Sequence, residues 1–351
     1  MPKMIDVANR AGVSIATVSC VLSGTKYVSK EAREKVWKAI DELGYQPNAL
    51  ARSLRKQETK EIGVVLQNLK NLFFIDVLRG IDEYLTSQGY SAIYVDSGYD
   101  MERERRAVMQ LRSRWVDGIL LYSCVTEDEK DAYGSFLLQG GSKSIPIVSI
   151  DRDFRKYTVP LVTTDQERNA YAIVKHLIST GRTHIVHVAG RSGWEITESR
   201  CEGYRCAMEE AGLGENVYIE YGSNKPNDGY EIARKLIRER PEMDVIFAAN
   251  DQMAIGCISA IQEMNMRVPE DIAVAGMDDL FVSTIVSPQL TTVNIPKYQL
   301  GKKAAQVLLN RIEDPDGLDL YNDMLYTLPS DLEIRQSTKM RSAVKWNLDN
   351  W

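Results

Sequence analysis

The sequence predicts an all-α helix-turn-helix head followed by an α/β core of two doubly wound parallel-sheet subdomains. Three observations predict it. Residues 4–45 hold three short apolar-periodic segments separated by Gly and Ser. From Ile62 onward, short continuous apolar runs alternate with helical patterns, as in a parallel sheet covered on both faces. The pattern then restarts near residue 167, giving two βαβ sets of similar size with a cleft between them.

Taken in order, Met4–Ala11 is apolar at Ile5, Val7, Ala8 and Ala11, and Gly12 breaks it. Ser14 can cap a second helix, 15–22, and Ser29 a third, in which Ala32, Val36, Ile40 and Leu43 recur at helical spacing before Gly44. Tyr45-Gln46-Pro47 is extended, because the residue before a proline avoids the helical region. Residues 48–54 form a seven-residue helical stub and 55–61 a charged linker. In the core, strands are expected at 62–66, 92–95, 118–121, 145–150, 184–189, 244–249 and 272–276. Helices are expected at 75–87, 102–114, 128–138, 167–180, 197–211, 228–239, 251–264 and 297–312. The chain thus divides into a head (1–46), a hinge helix with linker (47–61), a first core subdomain (62–161 with 292–325), a second (162–291 with 326–338) and a tail (339–351). The tail, with Trp346 and Trp351, reads as packed on its own domain.

Composition narrows the function. At 351 residues, 44% hydrophobic and 26% charged, the chain is an ordinary globular protein with a sizeable core. No run approaches 18 apolar residues, and the N-terminus lacks an apolar signal region, so neither a membrane span nor secretion is expected. Five scattered cysteines, none in a CxxC pair, suit reduced thiols in a cytoplasm. The first 60 residues contain eleven Lys+Arg against six Asp+Glu, a charge of +5, so the remainder carries −11 of the net −6. A basic head on an acidic body suggests that only the head meets a polyanion.

The helix-turn-helix signal is specific. Small Ala8 lets two helices cross closely, Gly12 supplies the turn, Val13 plugs the corner and Val18 anchors the second helix. Ser14, Ile15, Ala16, Thr17, Ser19 and Cys20 are left to face a major groove. The run Ile5-Asp6-Val7-Ala8-Asn9-Arg10-Ala11-Gly12-Val13-Ser14-Ile15-Ala16-Thr17-Val18-Ser19 resembles the LacI/GalR family of bacterial transcription regulators. So do Leu43-Gly44-Tyr45 and Pro47-Asn48-Ala49-Leu50-Ala51-Arg52-Ser53-Leu54. The resemblance covers the chain to about residue 337. It implies a cytoplasmic homodimer or tetramer, a pseudo-palindromic operator in double-stranded DNA, and a core like that of periplasmic sugar-binding proteins. It also implies that Ile15 and Ala16 read base edges, that Thr17 and Ser19 touch phosphates or neighbouring edges, and that Asn48 and Ala51 lie on the hinge helix. Leu54 then wedges into the minor groove. Seven residues are too few to hold a helix in water, so such a stub should order only when paired on DNA. Cys20 departs from the family's usual arginine and cannot make a bidentate bond to guanine, so a different operator preference is expected there.

The cleft is the second site. Asn71-Leu72-Phe73-Phe74 resembles the family's Asn-Pro-Phe-Phe without its proline, which implies that Phe73 stacks on the effector, while Phe74 reads more as core. The resemblance also implies effector contacts for Asp151, Arg200, Asn250 and Asp278, with Trp194 and Asn224 nearby. Apart from the aromatics, these groups fall at strand ends or loop starts, where a doubly wound fold opens its crevice. Carboxylate and amide groups with a stacking ring suit a polyhydroxylated ligand, and two carboxylates favour a neutral one.

Other signals are weaker. Gly140-Gly141-Ser142-Lys143-Ser144 lacks the first glycine of a phosphate loop and precedes a strand. His184 and His187 point to opposite faces of one strand, so no metal site is expected. Asp278-Asp279 reads as ligand binding plus a cap, not as a catalytic pair. With no nucleophile elbow and no cofactor loop, neither enzyme activity nor a cofactor is expected. The leading expectation is a DNA-binding repressor gated by a small molecule, most simply a sugar. The alternatives are a catabolite-control-type regulator with a phosphoprotein corepressor and a sugar-binding protein without a DNA role.

Overall fold

The computed structural model describes residues 2–23, 26–45, 58–139, 145–314 and 324–339. The stub expected at 48–54, the loop 140–144 and the tail from 340 lie outside the described residues. The chain divides after Thr59 into two compact units.

Among the described residues, the first unit holds α1 (Met4–Ala11), α2 (Ile15–Ser23) and α3 (Lys30–Leu43). Both expected caps form: Ser14 Oγ accepts from Thr17 N at 3.0 Å and Ser29 Oγ from Ala32 N at 3.3 Å. Gly12 and Gly44 end their helices at φ 65° and 59°, the left-handed conformation that glycine adopts without strain. The axis turns by 104° between α1 and α2, as in a helix-turn-helix. Val7, Ala8, Ala11, Val18, Val36, Ala39, Ile40 and Tyr45 bury together. An ion pair of 2.6 Å between Arg10 and Glu42 joins α1 to α3.

The second unit holds two lobes. In the first, β1 (Glu61–Leu66), β2 (Ser91–Asp96), β3 (Gly118–Leu121), β4 (Ile147–Ile150), β5 (Leu161–Thr164) and β11 (Leu325–Leu328) form one parallel sheet in the order β11-β5-β4-β3-β1-β2. In the second, β6 (Ile185–Ala189), β7 (Tyr218–Tyr221), β8 (Val245–Ala248) and β9 (Ala273–Ala275) form a parallel sheet in the order β7-β6-β8-β9. The strand period of two splits each run between two cores. Ile62, Val64 and Leu66 pack with α4 (Phe73–Ser87) and α12 (Lys297–Glu313), whereas Val65 packs with α5 (Met101–Ser113) and α6 (Glu127–Leu137). In the second lobe, Val245 and Phe247 face α7 (Gln166–Ser179) and α8 (Glu195–Glu210), while Ile246 and Ala248 face α9 (Pro226–Glu239) and α10 (Asp251–Glu263); the short α11 (Val282–Ile285) follows β9. Among the described residues no single helix is long and apolar enough to cross a membrane.

The chain passes between the lobes after β5, after β10 (Thr292–Asn294) and after β11; β10 pairs antiparallel with β12 (Asp331–Glu333). Two expected boundaries move. The divisions at 161/162 and 325/326 each cut a strand of the first sheet, because β5 and β11 both belong to it over their full lengths. These strands were not expected, nor were β7, β10 and β12. All are three or four residues long. β7 and β11 are edge strands, partly exposed and carrying Tyr, Thr or Glu, so neither reads as a continuous apolar run.

Helices α4 and α12 pack closely through two glycines. A Cβ on Gly80 would run into the carbonyl of Tyr298, and one on Gly301 into the carbonyl of Val77. Because the obstacle is backbone, the helices must part to admit a methyl. Gly80→Ala is therefore expected to destabilise the core by about 1–3 kcal/mol, read from urea or thermal melts. An unchanged midpoint would show that this contact does not set the helix spacing.

Candidate functional site

A cleft lies where the carboxyl ends of the two sheets face each other, and it encloses a cavity of about 60 Å³. Every cleft residue singled out from the sequence lines it: Phe73, Phe74, Asp151, Trp194, Arg200, Asn224, Asn250 and Asp278. The fold explains the convergence. Asp151 directly follows β4, Asn250 caps α10 just after β8, Asp278 follows β9, Asn224 follows β7, and Trp194 and Arg200 sit at the start of α8. Tyr99, Asp151, Asn224 and Asp278 hold positive φ values of 63°, 57°, 65° and 115°. Non-glycine residues rarely adopt this conformation, and it concentrates where the surrounding structure fixes a functional geometry.

Arg200 lines the cleft. Its Nε donates to Gln166 Oε1 at 2.9 Å, its Nη1 to the carbonyl of Ala249, and its Nη2 lies 3.8 Å from Asp278 Oδ1. Asp151 accepts from Tyr122 Oη at 2.7 Å and Thr163 Oγ1 at 2.6 Å. Asn250 is largely committed to the fold: its Oδ1 caps Met253 N at 2.8 Å and its Nδ2 donates to Asn224 O at 3.3 Å. Aromatic rings form the remaining walls. Phe74 meets Tyr122 edge-on at 4.9 Å, Phe73 meets Phe74 at 5.6 Å, and both phenylalanines are also core residues. Tyr99 from the first lobe tilts against Trp194 from the second at 5.6 Å, with the Arg191 guanidinium over both rings.

Several lining residues escaped the sequence reading, among them Gln67, Tyr99, Tyr122, Gln166, His187 and Thr197. Tyr122 directly follows β3, so the strand-end rule that selects Asp151 selects it too. Gln166 was hidden because β5, which precedes it, was not expected. His187 carries a different signal, a polar residue inside the apolar run of β6. Among the described residues, no group of three or more His, Cys, Asp or Glu is placed to hold a metal ion.

In the head, Ser14, Ile15 and Ala16 are exposed at the start of α2, and Thr17, Ser19 and Cys20 are half-buried. Ser14 Oγ and Thr17 Oγ1 lie 2.8 Å apart in a mutual hydrogen bond, so part of their capacity is used in the cap. Asn48, Ala51 and Leu54 lie outside the described residues.

Burial pushes the Asp278 carboxyl up from 3.8 to about 7; Arg200 and Lys297 oppose the rise, and the neighbouring carboxylates Asp251 and Asp151 add to it. The ion pair with Arg200 is real but does not outweigh desolvation. An acid whose folded pKa is raised binds its proton more readily in the folded state, so its contribution to stability falls as pH rises from about 4 to about 7. Asp278→Asn removes this titration. Melts from pH 5 to 8 should show stability falling less steeply with pH in the variant than in the wild type, and parallel profiles would contradict the assignment.

The chain matches two family models. Residues 3–48 match the bacterial regulatory proteins of the lacI family, and residues 59–329 match the periplasmic binding proteins and sugar binding domain of the LacI family. It is 35% identical over 342 residues to the HTH-type transcriptional repressor PurR of Haemophilus influenzae, covering 97% of this chain and 99% of that protein. It is 33% identical over 341 residues to the ribose operon repressor of Halalkalibacterium halodurans, covering 97% and 98%. Among solved structures, it is similar to the lac repressor dimer bound to operator and the anti-inducer ONPF, with a TM-score of 0.84 and 26% identity over 96% of this chain and 99% of that one. A complex of the regulator CelR with cellobiose matches at a TM-score of 0.70 and 28% identity over 96% and 100%. Head, core and relatives agree, and the chain belongs to the LacI family of bacterial regulatory proteins.

Proposed function

We propose that this regulator is a cytoplasmic, homodimeric repressor that binds a pseudo-palindromic operator and is released from it by a neutral, polyhydroxylated effector, most simply a sugar, bound in the cleft. The observation that carries the reading is the convergence of Asp151, Arg200, Asn224, Asn250 and Asp278 with Phe73, Phe74 and Trp194 on one cavity between two lobes. Acceptor-rich walls with flat aromatic faces match a ring that bears hydroxyls on its edges. The names of the ribose operon repressor and of the CelR–cellobiose complex support a carbohydrate.

The division we adopt is a head (1–46), a hinge with linker (47–61) and two lobes joined at the crossovers after β5, β10 and β11. In the head, the exposed Ile15 and Ala16 read base edges, and Ser14, Thr17 and Ser19 hold the helix start against phosphate. Cys20 replaces an arginine contact, and Asn48, Ala51 and Leu54 supply the hinge. Ligand pockets span about 300–1,000 Å³, so a cavity of about 60 Å³ must open for a sugar to enter. An effector that favours one arrangement of the lobes shifts the repressor only by its differential affinity for the two states.

Operator sites selected from random DNA with the full-length protein should be two-fold symmetric. D-ribose or cellobiose should weaken binding to the selected site by tenfold or more. Cys20→Arg should shift one position per half-site toward guanine by about 1–3 kcal/mol. Selected sites without symmetry would contradict the paired head, and operator affinity that no sugar alters would contradict carbohydrate gating.

A further inference from the structure

Strand β6 reads Ile185-Val186-His187-Val188-Ala189, and all five residues are buried. The His187 ring stacks on Phe247, with centroids 4.4 Å apart and planes at 16°, and tilts against Tyr204. Its Nδ1 lies 2.9 Å from the Phe247 carbonyl. A carbonyl can only accept, so Nδ1 carries the hydrogen, and a neutral ring then presents Nε2 as a bare acceptor. Burial pulls the pKa down to about 4, which keeps the ring neutral at pH 7. Nε2 is buried and has no hydrogen-bond partner among the described residues, while the residue lines the cleft cavity. Buried polar atoms are nearly always satisfied in native structures, so an orphan in a cavity wall needs a reason.

We propose that His187 is a specificity-determining residue of the effector site, its Nε2 accepting a hydrogen bond from a hydroxyl or N–H of the bound ligand. The proposal rests on the reading of the cleft as the effector site. Both the tautomer and the plane of the ring are fixed, by the Phe247 carbonyl and the Phe247 stack, so the lone pair holds one direction. A ligand with a donor there satisfies it. An ether, keto or deoxy counterpart leaves it buried and unpaired, the arrangement by which a polar site rejects a near-isostere. Neighbouring groups are already engaged: Arg200 bonds Gln166 and Ala249, and Asn250 bonds Met253 and Asn224. His187 therefore adds to the Asp151 and Asp278 carboxylates a neutral acceptor of fixed direction.

The chain has three histidines, so selective ¹⁵N-histidine labelling of the full-length protein gives a readable ring spectrum. His187→Gln assigns the signal. At pH 7 the protein alone should show His187 neutral, protonated at Nδ1, with Nε2 at the position of a free acceptor. D-ribose and cellobiose are then added, and the sugar that raises the Tm should move Nε2 upfield and leave His176 and His184 unmoved. His187→Leu should weaken binding of that sugar by about tenfold or more, and His187→Gln, which retains an acceptor, by less. A sugar that raises the Tm without moving Nε2, or a protonated Nε2 in the protein alone, would overturn the proposal. If neither sugar raises the Tm, the carbohydrate reading falls, and this assignment falls with it.

Discussion

The guanidinium of Arg200, its side chain only 11% exposed, organises the second lobe's wall of the cleft. A charge taken out of water must be paired and hydrogen-bonded, or burial is prohibitive. Arg200 obtains its partners from three places: the start of α7, the end of β8, and the loop after β9. Each is the carboxyl end of a strand or the turn beyond it, so the requirement is met only when both crossover and sheet ends are in position. The same demand explains the acidic side of the cleft. Asp278 is held close enough to compensate the charge but is itself so desolvated that its carboxyl titrates near neutrality.

A second buried carboxylate shows how the cleft is tied to the crossovers. Asp251 Oδ2 accepts from Leu280 N and Ser283 Oγ, and its Oδ1 accepts from Thr292 Oγ1 in β10. Lys297, at the start of α12, donates to the carbonyls of Asp278, Asp279 and Ile295. Arg335 pairs with Asp279 at 2.7 Å. The loop that carries Asp278 is thus fixed by groups from two crossing segments, which gives a change at the ligand site a physical route to the joint between the lobes.

Much of this was legible in the sequence because burial on both faces leaves a plain mark. Runs such as Ile62–Leu66 and Val245–Ala248 are apolar throughout, and Gly12 and Gly44 stand where a left-handed turn is needed. What was not legible follows from the same physics. β7 and β11 lie at sheet edges and β10 and β12 in the crossing segments, where a polar residue is tolerated and an apolar run is not required. Missing β5 concealed Gln166 and displaced a domain boundary. His187 was set aside as half of an unworkable metal pair, which was sound as metal chemistry, but periodicity alone does not show what lies beside a buried imidazole. In the head, the caps and the buried face of α2 followed from spacing, whereas the meaning of Cys20 came from resemblance alone.

In the function proposed above, Arg200 serves effector binding and is not needed to read DNA. The direct measurement is operator affinity of Arg200→Lys against effector concentration. Lysine keeps the charge beside Asp278 but loses the planar fork that reaches Gln166 and Ala249 together. The variant should keep a cooperative fold and the wild-type operator affinity without effector, with release shifted to at least about tenfold higher effector concentration, the equivalent of ~1.4 kcal/mol. A release curve that superimposes on the wild type would contradict it.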